Sequence, residues 1–110
     1  MSELTRIRLS ECSIPTNCKF VEWEFDNPEK AFKELIKIAT SIPRTEVIEF
    51  SKNYWHGVCR SLIFRFPDDL EILKMQDKGI IQVKSSSRIG ASDLGVNGNR
   101  INSIYKKLIK

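Results

Sequence analysis

From Lys84 the chain runs Ser85-Ser86-Ser87-Arg88-Ile89-Gly90-Ala91-Ser92-Asp93-Leu94-Gly95-Val96-Asn97, with Arg100 just beyond. Small residues let a backbone curl and expose its N–H groups. Ser and Asn add short-reach donors, and Arg88 adds a planar fork of them. Placed ahead of a helix N-terminus, these are the parts of an anion site. The stretch matches neither phosphate-cradling fingerprint, for the chain has no G-x-x-x-x-G-K and no G-x-G-x-x-G. The competing expectation is architectural: a strand-to-helix connection cross-braced by Arg88, Asp93 and Arg100.

A second constellation is Asp68, Asp69 and Glu71. Neighbouring carboxylates can divide general-acid and general-base work, and His56 is the one histidine able to join them. Against that, Asp68 and Asp69 follow Pro67, where a turn by itself favours Asp. His56 stands in a Tyr54-Trp55-His56 strand run that suits a packed or surface histidine better than a base. No G-x-S-x-G elbow surrounds Ser61 or Ser85 to Ser87. Cys12, Cys18 and Cys59 lack C-x-x-C spacing, so neither a metal site nor a cofactor is expected. An odd cysteine count suits free thiols in a reducing compartment, and three are expected. In an oxidising compartment Cys12 and Cys18 are close enough to close a short loop.

The elements that must position these groups are written in the hydrophobic pattern. Residues 1–19 show no period and read as an N-terminal arm, ahead of a single domain over 20–110. Phe20 to Phe25 alternates, with Val21, Trp23 and Phe25 opposing Glu22 and Glu24, as a half-buried strand does. Asp26-Asn27-Pro28-Glu29 supplies a cap, a first-turn Pro and an acid at the positive end of a helix. Ala31, Phe32, Leu35, Ile36, Ala39 and Ile42 then form one helical stripe, which Pro43 ends.

Thr45 to Ser51 and Tyr54 to Phe66 read as strands, the second a long one, followed by a turn at Pro67-Asp68. Leu70 to Met75 and Ile80 to Arg88 are strands joined through Gln76-Asp77-Lys78-Gly79. Ile89 to Gly98 is a loop, and Asn97 or Asn99 can cap a last helix bearing Ile101, Ile104, Tyr105, Leu108 and Ile109. The order β-α-β-β-β-β-α predicts an α+β fold: an antiparallel sheet of about five strands with both helices on one face.

Charge is unevenly placed. From Lys84 onward six basic residues face one acid, Asp93, so this segment carries +5 of a chain whose net charge is +4 and leaves −1 for residues 1–83. The basic tail, with Lys106, Lys107 and Lys110, can meet a nucleic acid or an anionic membrane weakly. Its single aromatic, Tyr105, offers no stacking platform, which argues against nucleic acid as a partner. No apolar run approaches a membrane span, and Glu3, Arg6, Arg8 and Glu11 leave no signal-peptide core. A cytoplasmic chain without membrane attachment is therefore expected.

Three groups of residues together resemble a known family. They are Cys12 with Asn17-Cys18; Arg60-Ser61, Phe64-Arg65-Phe66, Asp68-Asp69 and Glu71; and Ser85, Ser87-Arg88, Gly90, Ser92-Asp93, Gly95-Val96-Asn97 and Arg100. They look like domain-of-unknown-function family 1499 of bacteria and plastids, over nearly the whole chain. The resemblance implies no activity, and some relatives look exported or membrane-attached. This chain departs from the family pattern at Thr16, where Pro is usual, and at Lys84, where Arg is usual. Ala91 replaces an aromatic and Gly98 a basic residue, the last implying a weakened anion site.

The reading these features support is a non-enzymatic binding module. Arg60, Arg65, Asp68, Asp69, Arg88, Ser92, Asp93, Asn97 and Arg100 would form one charged cluster for a small anionic ligand or a protein partner. A helix held by a curved sheet also commonly leaves a cavity. The alternatives are a small hydrolase or isomerase using Asp68 or Asp69 with His56, and weak nucleic-acid or membrane-surface binding through the C-terminal helix.

Overall fold

The computed structural model describes residues 8–90 and 92–110. Strand β1 spans Cys18–Glu24, helix α1 Pro28–Thr40, then come β2 Thr45–Phe50, β3 Tyr54–Arg60, β4 Pro67–Met75, β5 Ile80–Ser87 and helix α2 Val96–Leu108. The strands form one sheet in the order β1-β5-β4-β3-β2, antiparallel throughout. This is the α+β fold and element order that the sequence predicts.

Helix α1 starts where its cap residue directs: Asn27 Oδ1 accepts from the Lys30 amide at 3.1 Å. Its stripe of Ala31, Phe32, Leu35 and Ala39 is buried, with Ile36 and Ile42 half-buried beside it. Helix α2 adds Ile101 and Ile104 to the same core. Both helices thus cover one sheet face, formed by Val21, Trp23, Trp55, Cys59, Leu70, Ile72, Ile81 and Val83. Trp55 lies so close over Gly57 that a Cβ there would meet its ring at 2.5 Å, so this strand position requires glycine. Gly79 turns the β4–β5 hairpin at φ 66°, after a 3-10 turn over Gln76–Lys78.

On the opposite sheet face, Phe20, Tyr54, Leu73 and Met75 pack around Leu9. The Leu9 amide donates to Gln82 Oε1 at 2.7 Å, and Gln82 Nε2 donates to Glu22 Oε2 at 2.6 Å. Of the arm expected over 1–19, residues 1–7 lie outside the described residues, as does Ala91. From Leu9 on, the segment is anchored to the fold by buried Leu9 and Asn17, with residues 10, 11 and 13–16 exposed between them.

Three expectations need correction. The strand expected over Tyr54–Phe66 stops at Arg60. Pro67-Asp68 is not a turn but the start of β4, because Arg60 pairs with Pro67 and Cys59 with Asp68. The chain therefore reverses within residues 61–66. Ser61 and Phe66 close the hairpin through Ser61 N to Phe66 O at 3.2 Å and Phe66 N to Ser61 Oγ at 2.9 Å. Finally, Cys12 and Cys18 are disulfide-bonded rather than free thiols, and Cys59 is a free, buried cysteine. A 3-10 turn at Pro15–Asn17 folds the intervening chain so that their Cα atoms lie 5.7 Å apart, within disulfide range.

Candidate functional site

Strand alternation divides the residues expected to form one charged cluster. Successive side chains point to opposite faces of a sheet, so Asp68 and Asp69 cannot act together. Asp68 turns to the helix side, where its Oδ2 meets Arg100 Nη1 of α2 at 2.9 Å. Asp69 turns to the other side, accepting from Arg88 Nε and Nη2 at 2.9 Å each and lying 2.7 Å from His56 Nε2. Asp68 and Asp69 are therefore not paired, whereas Glu71, two residues along β4, shares the Asp69 face and accepts from the Tyr54 hydroxyl at 2.5 Å. What stands there is a His56–Asp69–Arg88 row. Burial pushes the Asp69 carboxyl up, but hydrogen bonds from Arg88 and His56 outweigh it and hold the group below the usual carboxylate range.

On the helix side the centre is Asn97, fully buried. Its Oδ1 accepts from Ser85 Oγ at 2.6 Å and from Arg100 Nη1 at 2.9 Å. Its Nδ2 donates to Asn17 O, Ser87 Oγ and Asp93 Oδ2 at 3.1, 3.0 and 2.6 Å. Asp93 in turn accepts from the amides of Gly95 at 2.8 Å and Asn97 at 3.0 Å. The N-terminus of α2 thus holds an anion already, the chain's own Asp93. Burial raises the Asp93 carboxyl, yet the Asn97 and Gly95 donors prevail and keep it below its usual range. Asn97 and Asn99 lie inside α2, so Asp93 takes the capping role expected of them. The Asp93 amide donates to Thr16 O, and Asn17 Nδ2 to Gly90 O, tying the disulfide loop to the same base.

The remaining expected residues are dispersed. Arg60 pairs with Glu46 at 3.3 Å, and its carbonyl accepts from Arg44 Nε at 3.1 Å. Arg65 is exposed at the hairpin tip. The Ser92 hydroxyl accepts from the Leu94 amide at 3.4 Å. The expected cross-brace of Arg88, Asp93 and Arg100 does not form as such: Arg88 takes Asp69 and Arg100 takes Asp68, both on β4, while the amides of Gly95 and Asn97 hold Asp93.

With the polar base satisfied, the accessible chemistry at this end of the sheet is apolar. Ser61, Phe64 and Phe66 from the β3–β4 hairpin face Ile89, Leu94 and Val96 of the β5–α2 connection across a groove of about 420 Å3, floored by Asp68, Ser87 and Asp93. The Phe64 and Phe66 rings stack at 5.4 Å. Leu62, Ile63, Phe64 and Leu94 are 68%, 78%, 72% and 91% exposed. Three non-glycine residues among those described have positive φ, and all flank this end: Arg44 at 59°, Arg65 at 58° and Leu94 at 54°. Such conformations cost free energy and cluster where a loop is held for a purpose. The cavity expected between helix and sheet has a counterpart of about 290 Å3 between α1 and the end of β2, lined by Phe32, Lys33, Ile36 and Phe50 among others; the apolar groove lies between two loops.

A smaller, polar depression of about 260 Å3 lies on the other side of the β5 end, lined by Ser13, Asn17, Lys84, Ser86 and Arg88 among others. Among the described residues no cluster of three or more His, Cys, Asp and Glu suits a metal ion.

The family model for a protein of unknown function (DUF1499) matches residues 9–108. The chain belongs to the DUF1499 family. No curated protein matches it. Within this DUF1499 chain the match begins at Leu9, the residue that packs under the sheet, and ends with Leu108, the last residue of α2. No helix of the described chain is long and apolar enough to cross a membrane. Sequence reasoning missed the apolar residues of the groove. The available signal was Arg60, which breaks the apolar side of the supposed long strand two residues before Leu62.

Proposed function

We propose that this chain is a non-enzymatic binding module that takes its partner at the loop end of the sheet, in the groove between the β3–β4 hairpin and the β5–α2 connection. The observation that carries this reading is a ring of exposed apolar side chains around a groove whose polar floor is already hydrogen-bonded internally. A run of exposed apolar residues at a hairpin tip is costly to maintain without use. The Asn97-centred network supports a scaffolding role for the polar motif, with Arg65 at the rim available to an anionic group. An aromatic sulfonate dye that brightens in apolar surroundings tests the site. The folded protein should bind it, a medium-chain fatty acid should displace it, and Leu94→Asp should weaken it without lowering the melting temperature. A dye signal equal in wild type and variant removes the reading.

A second reading keeps the small anionic ligand and moves it to the depression beside Lys84 and Arg88, whose polar lining favours it. Sulfate should then raise the melting temperature of the wild type and not of Lys84→Ala. As to compartment, the Cys12–Cys18 bond favours an oxidising one over the cytoplasm expected from the sequence.

A further inference from the structure

The groove does not account for the whole apolar end. Phe64, Phe66, Ile89, Leu94 and Val96 line it, whereas Leu62 and Ile63 do not, although both are more than two-thirds exposed. A soluble ligand seated in the groove would leave those two side chains in water. A broad, flat, apolar partner would cover them together with the groove rim.

Charge narrows the partner further. Among the described residues, the carboxylates nearest the tip on β2, β4 and the β5–α2 connection are Glu46, Asp68, Asp69 and Asp93, and each is engaged within the fold. Glu46 pairs with Arg60, Asp68 with Arg100 and Asp69 with Arg88, while Asp93 accepts from the amides of Gly95 and Asn97. Among the described residues Arg65 and Arg44 have no carboxylate within salt-bridge distance, Arg44 giving its Nε to a backbone carbonyl. Both are exposed and sit at the edge of the apolar tip. Arginine beside protruding Leu, Ile and Phe matches the interfacial layer of an anionic bilayer, where apolar tips enter the acyl boundary and guanidinium groups stay at headgroup depth. The hairpin suits that environment, since Ser61 and Phe66 bond to each other across its neck.

We propose that this loop end docks peripherally on the surface of an anionic lipid bilayer, with Leu62, Ile63 and Phe64 inserted and Arg65 and Arg44 on the headgroups. The proposal rests on reading the loop end as the binding surface and specifies what covers it. Docking here uses the opposite end of α2 from Lys106 and Lys107, and so differs from attraction through the basic tail.

The test is sedimentation of the full chain with vesicles of phosphatidylcholine alone and with about one third phosphatidylglycerol. The expected result is binding to the mixed vesicles, weaker binding to the neutral ones, and loss of the difference in high salt. The double variant Leu62→Asp, Ile63→Asp should melt like wild type and still bind the sulfonate dye, since neither residue lines the groove. It should lose vesicle affinity by about tenfold or more. Arg65→Glu should lessen the preference for anionic vesicles. Wild-type protein that binds dye but stays in the supernatant with both vesicle types would overturn the bilayer while leaving the groove to a soluble partner. A double variant that sediments like wild type would overturn the proposal as well, and loss of both dye and vesicle binding in the wild type would remove both readings.

Discussion

Two arginines of the late motif hold adjacent carboxylates of β4, and their surroundings make them unequal. Arg100 and Asp68 are largely buried, with Ser85 and Asn97 completing the guanidinium's bonds. Removing the cation leaves a buried carboxylate unpaired, so Arg100→Ala should cost about 3–5 kcal/mol. Arg88 is half-exposed, and water can replace part of what it gives Asp69. Arg88→Ala should therefore cost only about 1 kcal/mol despite its two-pronged contact. Urea unfolding of both variants compares them; equal losses would mean that the Asn97 network does not hold Arg100 as described. The motif's residue types announced donors and charges. They did not announce that β4 would send Asp68 and Asp69 to opposite faces with separate arginines.

Helix α1 was legible because its signal is local: a capping Asn27, Pro28, and an apolar stripe of period 3.6. Leu35 at the centre of that stripe is fully buried, so Leu35→Ala should destabilise by about 2–5 kcal/mol in thermal or urea melts. A loss below about 1 kcal/mol would show that the helix packs loosely on the sheet. The β3–β4 hairpin was not legible in the same way. Leu62, Phe64 and Phe66 satisfy a strand's period of two, and no Gly marks a turn between them and β3. The reversal comes from the pairing of Arg60 with Pro67, which leaves residues 62–65 as the tip. Because that tip is exposed, Ile63→Asp should change stability by less than about 0.5 kcal/mol, whereas a buried strand position would lose several times more.

At the scale of the molecule, three carboxyls among the described residues lie below their ordinary range. Lys74, whose side chain is buried over the Phe32 ring, hydrogen-bonds Glu29 and lowers it; Asp69 and Asp93 are lowered by donors that outweigh burial. A depressed folded-state value adds stability that is fully present above the unfolded value and is lost as pH falls through the folded one. Urea midpoints should therefore hold steady near neutrality and decline below about pH 4. A midpoint unchanged down to about pH 2 would mean that these pairs add nothing. The disulfide gives a second global check. Unreduced, denatured protein should expose one reactive thiol, that of Cys59, and reduction should release those of Cys12 and Cys18. Three thiols before reduction would return the protein to a reducing compartment.

The order β-α-β-β-β-β-α, the buried stripe of α1 and the apolar face of β1 followed from sequence, because each depends on neighbours a few residues apart. So did the polar character of the late motif. Only the tertiary structure decided what that motif bonds to. Asn97 draws on Asn17, Ser85, Ser87 and Arg100 from three parts of the chain. Asp93 fills the anion position at the start of α2 that composition alone would leave for a ligand. Strand register likewise turned an apparent strand into an exposed apolar tip. Hydrogen-bond acceptors and donors find each other by distance in space, and a linear pattern carries side-chain type and local period but not that distance.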